Sequence, residues 1–274
     1  MGSLANTKRL DNGVEMPRVG LGVYQAQPGQ ETRRAVLEAL RLGYRHVDTA
    51  SIYGNEKDVG EGLRASELPR SEIFVTTKLW NADQGYDSAL RAFEASLARL
   101  GLEQLDLYLL HWPVREHRLE SWRALERLLA DGRVRAIGVS NFMPRHLDEL
   151  LGGAAVVPSV NQIEISPFLQ QRDVRAACER HGIVVQAYSP LTKGMRLDHP
   201  VVVEVARRVG RTAAQVLLRW ALQHDLVVLP KSSRQERIAE NLALFDFELT
   251  QEDMARFDAL EEGLVTGWDP RGAP

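Results

Sequence analysis

Cysteine is nearly missing: Cys178 is the only one in 274 residues. No disulfide can form within the chain, so a reducing cytoplasm is the expected setting. Long apolar runs are missing too. No stretch reaches the ~18 residues a membrane helix needs. The start, Met1-Gly2-Ser3-Leu4-Ala5-Asn6, lacks the apolar segment of a secretory signal. It also carries Asn6 where a myristoylation pattern wants Ser or Thr. Neither sign of charge dominates: 34 Lys and Arg face 37 Asp and Glu, a net charge of −3. That balance predicts no general affinity for nucleic acid or for anionic membranes. A complete glycine-rich dinucleotide loop is also absent. Gly20-Leu21-Gly22 begins one, but Gln25 stands where its last glycine belongs. Low-complexity runs, linker-like breaks and a metal-ligand set are not found either, and nothing argues for an oligomer, so one domain over 1–274, a monomer with no metal, is expected.

What is present is a regular alternation. Hydrophobic residues make up 44% of the chain, enough for a substantial core. Asp11-Asn12-Gly13 sits between two short strand-like runs and predicts an N-terminal β-hairpin. Strand-like segments then fall at 19–22, 46–48, 73–78, 105–110, 134–139, 160–165, 183–188 and 226–229. Each is followed by a helical pattern, and the later part of the chain carries additional helices at about 200–209 and 250–260. Eight strand–helix units in about 250 residues is the count and size of an α/β, (β/α)8 TIM barrel. A doubly wound open sheet is the alternative, and the broken glycine motif weighs against it.

In such a barrel the C-terminal ends of the strands converge on one mouth. Asp48, Lys78, Ser140, Asn141, Gln162 and Tyr188 lie at or near strand ends, and His111 and Lys231 directly follow theirs. One charged strand end is most simply a structural ion pair. A whole rim of polar ends points to a site, since buried polar groups without partners are costly. Asp48, Tyr53, Lys78 and His111 could together polarise a carbonyl and protonate its oxygen. Lys78 would make the Tyr53 phenol a stronger acid, Asp48 would hold Lys78, and His111 would orient the carbonyl. Leu229-Pro230-Lys231-Ser232-Ser233, followed by Arg237, leads from the last strand into a helix, a favoured phosphate site. Tyr53 to Lys57 also reads Tyr-x-x-x-Lys, a catalytic pair elsewhere, but Gly54-Asn55 opposes the single helix that pair needs. Cys178 falls in a helical pattern and reads as a packing residue.

Three stretches carry a family resemblance: Gly43-Tyr44-Arg45-His46-Val47-Asp48-Thr49-Ala50 through Gly60, Arg135-Ala136-Ile137-Gly138-Val139-Ser140-Asn141-Phe142, and Leu229-Pro230-Lys231-Ser232 through Arg237 to Asn241. On these the chain resembles an aldo-keto reductase over nearly its whole length. The resemblance implies NADPH-dependent reduction of a small-molecule carbonyl, with Tyr53 as proton donor, Lys78 and Asp48 tuning it, and His111 orienting the substrate. It implies cofactor contacts from Gly22, Val23, Ser140, Asn141, Gln162, Tyr188, Ser189, Leu191, Lys231, Ser232, Ser233, Arg237, Glu240 and Asn241. Short connections after the fourth and seventh strands resemble the bacterial members of the diketogluconate-reductase type. They imply an open pocket walled by Tyr24, Trp80, Trp112 and Trp268. A cofactor-binding sensor with little turnover is the other function considered. The four filled catalytic positions argue against it.

Overall fold

A computed structural model describes residues 6–273; the leader reading on residues 1–5 lies outside the described residues. The chain opens with the hairpin, β1 (Thr7–Arg9) against β2 (Glu15–Pro17). Its turn is closed by Gly13, which accepts the left-handed conformation there at φ 84. Eight parallel strands follow: β3 (Leu21–Gly22), β4 (His46–Asp48), β5 (Phe74–Leu79), β6 (Leu105–Leu110), β7 (Val134–Ser140), β8 (Val160–Glu164), β9 (Val184–Tyr188) and β10 (Val227–Leu229). Parallel bridges Val19–Val228 and Gly22–Lys231 join the first strand to the last and close the ring. The expected strands and helices are all present, with ends displaced by a residue or two.

The helices are α1 (Gln30–Leu42), α2 (Glu56–Ala65), α3 (Tyr86–Leu100), α4 (Arg118–Ala130), α5 (Pro144–Leu151), α6 (Arg172–Arg180), α7 (Pro200–Val209), α8 (Ala213–Gln223), α9 (Gln235–Leu242) and α10 (Gln251–Asp258). Periodicity explains their placement. In α1, Thr32, Ala35, Val36, Ala39 and Leu40 are buried, a stripe at helical spacing turned to the strands. Gly43 ends that helix at φ 108 and donates its N–H to Ala39 and Leu40. Trp122 and Trp220, on helical stripes, are core residues. Their indole N–H groups donate to Val156 O at 3.1 Å and Asp258 Oδ1 at 2.8 Å.

Alternation along the strands decides where the chemistry goes. Val75 and Leu79, Tyr108 and Leu110, Val185 and Ala187 face the helices. The opposite set faces the barrel interior. At the N-terminal end that interior is apolar: Phe74, Leu107, Ala136, Val160, Val184 and Val227 pack together, plugged from below by Leu10 and Met16 of the hairpin segment. Further along the same inward register come Asp48, Lys78, Ser140, Gln162 and Tyr188. The bottom is a packed floor, and the polar groups gather at the top.

One close contact sets the spacing of the outer helices. A Cβ on Gly60 of α2 would lie 2.0 Å from the backbone oxygen of Leu100, at the end of α3. Backbone cannot give way as a flexible side chain can. Gly60→Ala is therefore expected to force α2 and α3 apart and to cost about 1–3 kcal/mol of stability, read as a lower midpoint in urea unfolding.

Candidate active site

Asp48 ends β4, and the seven residues after it form a tight, tied-down loop. Tyr53 closes a short 3-10 turn over 51–53 and is followed by Gly54 at φ 68. Asn55, wholly buried, accepts from the Thr49 hydroxyl at 2.8 Å and donates to Val23 O at 3.0 Å. These bonds aim Tyr53 back over the barrel mouth. The helix starts only at Glu56, so Tyr53 and Lys57 do not share one.

Lys78 rises from β5 with no exposed surface. Its ammonium has three hydrogens and three neighbours: Asp48 Oδ1 at 2.6 Å, Thr49 O at 2.8 Å and the Tyr53 hydroxyl oxygen at 3.5 Å. A Tyr53 oxygen that accepts from Lys78 keeps its own hydrogen free for the groove. Gln162 donates to the other Asp48 oxygen at 2.8 Å. His111 follows β6, with its N–H on Leu79 O at 3.1 Å. Its ring meets Tyr53 and Trp80 edge-on, at 5.8 and 5.3 Å between centroids. The buried Nδ1 of His111 has no hydrogen-bond partner among the described residues.

The electrostatics differ from expectation at one point. Lys78 stands beside the phenol as predicted, yet the acidity of Tyr53 moves the other way. Burial first, and then the negative charge of Asp48, hold the phenol well above the ordinary tyrosine range. The ammonium is already committed to Asp48, and its own proton is loosened by burial. Burial and the charge of Lys78 push His111 well below the usual histidine range, so its imidazole is neutral at physiological pH. The site is thus a set of neutral donors above a buried ion pair.

An elongated groove of about 1310 Å³ runs from this point across the barrel mouth. It exceeds the roughly 300–1,000 Å³ of a pocket for one drug-sized ligand. Asp48, Tyr53 and His111 line one end, with Tyr24, Trp80, Trp112 and Trp268. Lys78 does not line it, being sealed behind Tyr53. Gly22, Ser140, Asn141, Gln162 and Tyr188 line the middle. Ser189, Leu191, Lys231, Ser232, Ser233, Arg237, Glu240 and Asn241 line the remainder. Val23 is the exception among the expected cofactor residues. Its side chain is in the core, its N–H donates to Asp48 O and its carbonyl accepts from Asn55, so neither side chain nor backbone is offered to the groove.

The middle of the groove is prearranged. The Ser140 hydroxyl and the Asn141 N–H both donate to Gln162 O at 2.9 Å. Asn141 Nδ2 donates to His111 O at 3.0 Å, and Tyr188 donates to Asn141 Oδ1 at 2.9 Å. Asn141, Ser189, Thr192 and Lys193 hold positive φ, the kind of backbone strain that collects around ligand sites. At the far end, no carboxylate pairs with Lys231 or Arg237 among the described residues, although salt bridges hold many other arginines. Two unneutralised cations near the start of α9 suit a phosphate.

Features the sequence did not announce also shape the mouth. The Thr266 N–H donates to buried Glu164 at 2.9 Å, and Lys193 Nζ donates to Thr266 O at 2.7 Å. This clasp lays the C-terminal segment across the groove. It brings Trp268 to 6.4 Å from Trp80 and 5.9 Å from Trp112 while its outer face stays in solvent. Ile52 and Leu197 line the groove as well. Gln186, inside β9, bonds Gln162 and had only one signal in the sequence, a polar residue within an apolar strand. Cys178 is buried, and its thiol is pushed up to about 11, in keeping with packing and not with nucleophilic chemistry. No helix among the described residues is long and apolar enough to cross a membrane.

Known proteins resemble this chain in sequence and in fold. Residues 18–262 match the model of the Aldo/keto reductase family. Glyoxal reductase of Bacillus subtilis is 50% identical over 268 residues, covering 98% of this chain and 97% of that protein. Morphine 6-dehydrogenase of Pseudomonas putida is 48% identical over 277 residues, covering 96% and 93%. Among solved structures, a point mutant of Gox0644 in complex with NADPH superposes with a TM-score of 0.93 at 45% identity, covering 98% of each chain. The chain belongs to the aldo/keto reductase family of oxidoreductases.

Proposed function

We propose that this protein reduces aldehydes and ketones to alcohols with NADPH, and that Tyr53 donates the proton. The observation that carries the proposal is the placement of the Tyr53 hydroxyl, beside Lys78 at one end of a groove whose other end holds Lys231 and Arg237. The groove fits a phosphate-bearing dinucleotide in size and in the order of its groups. Lys231, Ser232 and Arg237 would hold the phosphate on the ribose, Glu240 and Asn241 the adenine, and Ser140, Asn141, Gln162 and Tyr188 the nicotinamide. When bound, the reduced nicotinamide supplies the hydride. The NADPH complex of a similar structure supports this reading.

The chain's own part is to bind, orient and protonate. Neutral His111 donates a hydrogen bond to the carbonyl oxygen and fixes its direction. As negative charge grows on that oxygen, the Tyr53 O–H passes its proton across. The phenolate left behind faces the Lys78 ammonium, which Asp48 and Thr49 hold in place. Aromatic walls from Tyr24, Trp80, Trp112 and Trp268 favour flat or apolar carbonyl compounds. Every group comes from one chain, so a monomer suffices.

The direct test is oxidation of NADPH by the purified protein with a panel of aldehydes and ketones, glyoxals included. Turnover with several of them is expected; binding of NADPH without turnover on any would refute the proposal. Arg237→Ala should raise the KM for NADPH about tenfold to a hundredfold, the value of one charge-assisted hydrogen bond. The KM for NADH should hardly change, and equal losses with both would place the 2′-phosphate elsewhere.

A further inference from the structure

Gln186 is fully buried in the middle of β9, where its neighbours in the strand are apolar. An amide in that position costs free energy unless its hydrogen bonds are made, and leucine would carry no such cost. Gln186 stands directly across the parallel ladder from Gln162 of β8.

Its hydrogen bonds are dictated from the catalytic end. An ionised Asp48 can only accept. The Gln162 atom 2.8 Å from Asp48 Oδ2 is therefore the amide nitrogen. That same nitrogen lies 2.6 Å from an atom of the Gln186 amide, which must then be its oxygen. The Gln186 nitrogen consequently turns down the barrel, to His46 Nε2 at 3.5 Å and Met16 Sδ at 3.9 Å. His46 Nε2 must be bare, with the ring hydrogen on Nδ1, 3.2 Å from Pro17 O. The Thr76 hydroxyl, 3.2 Å away, can donate to Nε2 as well. Burial keeps His46 below its ordinary range, so the neutral ring persists. Donation thus runs outward from Gln162 in both directions, up to the catalytic carboxylate and down through Gln186 and His46 to Pro17 O at the barrel floor. Both Gln162 hydrogens are spent, so the group Gln162 has left for a ligand in the groove is its oxygen.

We infer that Gln186 is a positioning residue for the reduction. By accepting from Gln162 it keeps that amide from turning, with nitrogen on Asp48 and oxygen free for the donor N–H groups of a bound carboxamide. The inference rests on the roles proposed for Asp48, Lys78 and Tyr53. Without Gln186, the Gln162 amide is held by Asp48 alone, and the rotated form costs less to populate. In the rotated form its oxygen opposes the Asp48 carboxylate, and its nitrogen meets a ligand that needs an acceptor.

The test compares Gln186→Leu and Gln186→Glu, with Tyr53→Phe alongside, using NADPH and one good aldehyde. Gln186→Leu should change Tm only modestly, since the gain from an apolar side chain is offset by the buried Gln162 N–H it leaves unpaired. Its kcat and its affinity for NADPH should each fall about fivefold or more at every pH, the weight of one hydrogen bond. The carboxyl group introduced by Gln186→Glu can, while protonated, accept from Gln162 and donate to His46, so activity should return at low pH. On ionisation it adds charge to a region already holding Asp48, Lys78, His46 and, further off, Asp106. Activity should then fall as pH rises, a limb the unsubstituted protein lacks. Near-normal kcat and NADPH affinity in Gln186→Leu would overturn the inference. So would loss of activity in step with Tm, with Gln186→Glu no better than Gln186→Leu at any pH. An inactive Tyr53→Phe beside a normal Gln186→Leu would leave the reaction standing and remove only the role of Gln186. A fully active Tyr53→Phe would remove the reaction scheme itself.

Discussion

Tyr53→Phe is expected to lower kcat for aldehyde reduction by about 10²–10⁴-fold, the range for removing a placed general acid. The phenyl ring can keep its contacts with His111 and Tyr24. Only the hydroxyl is lost, together with the long contact from Lys78 at 3.5 Å. Affinity for NADPH, measured by fluorescence titration, should stay close to that of the unsubstituted protein. Activity within tenfold of normal would mean that another group supplies the proton. The pH profile carries a second reading. The donor must be protonated for reduction, and burial with Asp48 raises its affinity for the proton. A raised value moves the loss of the acid form to higher pH. The rate of reduction should therefore show no downturn from Tyr53 across neutral pH, below the ordinary tyrosine value of about 10. In the reverse direction the phenolate is the required form, so alcohol oxidation should gain steadily as pH rises. A downturn in reduction near neutrality that vanishes in Tyr53→Phe would contradict this.

The second large effect belongs to the buried ion pair. Lys78→Met should abolish most turnover and also destabilise the fold by about 3–5 kcal/mol, because it strands a buried carboxylate. Asp48 would keep only its bond from Gln162 at 2.8 Å, with no opposite charge. The double replacement Asp48→Asn with Lys78→Met removes both charges. It should recover most of the stability and none of the activity. Urea unfolding of the two variants measures the difference. Equal stability in the single and double variants would show that the pair is not balanced as described. This comparison also separates the two duties of Lys78, since only the stability half can be rescued by neutralising its partner.

Much of the fold was legible because its signals are local. The α1 helix at Gln30–Leu42 was readable residue by residue: a helical apolar stripe and a glycine after it both act within a turn or two. Strand β4, His46–Asp48, was equally readable from its short apolar run ending in an acid. Strand β10 was expected to begin at Leu226 but begins at Val227, a shift that pattern alone does not resolve. The site was legible in outline for a related reason. In a closed barrel every strand's end reaches the same mouth, so His111 and Lys231 could be associated across long stretches of sequence. Resemblance alone puts Val23 with the cofactor residues. In the structure its side chain is buried and its backbone bonds Asp48 and Asn55, neighbours that no local pattern announces.

By itself the sequence determined the order of strands and helices, the lack of any internal disulfide, and which side chains gather at the barrel mouth. Those follow from periodicity, from a single cysteine and from motifs whose residues are close together. Only the tertiary structure decided that Lys78 is sealed from the groove, that the Tyr53 phenol is held protonated, that Gln186 meets Gln162, and that Glu164 and Lys193 draw Trp268 over the pocket. Each of these depends on burial or on neighbours far apart in the chain. Burial sets the cost of a charge, and closure of the ring sets who faces whom; neither is written in any short stretch of residues.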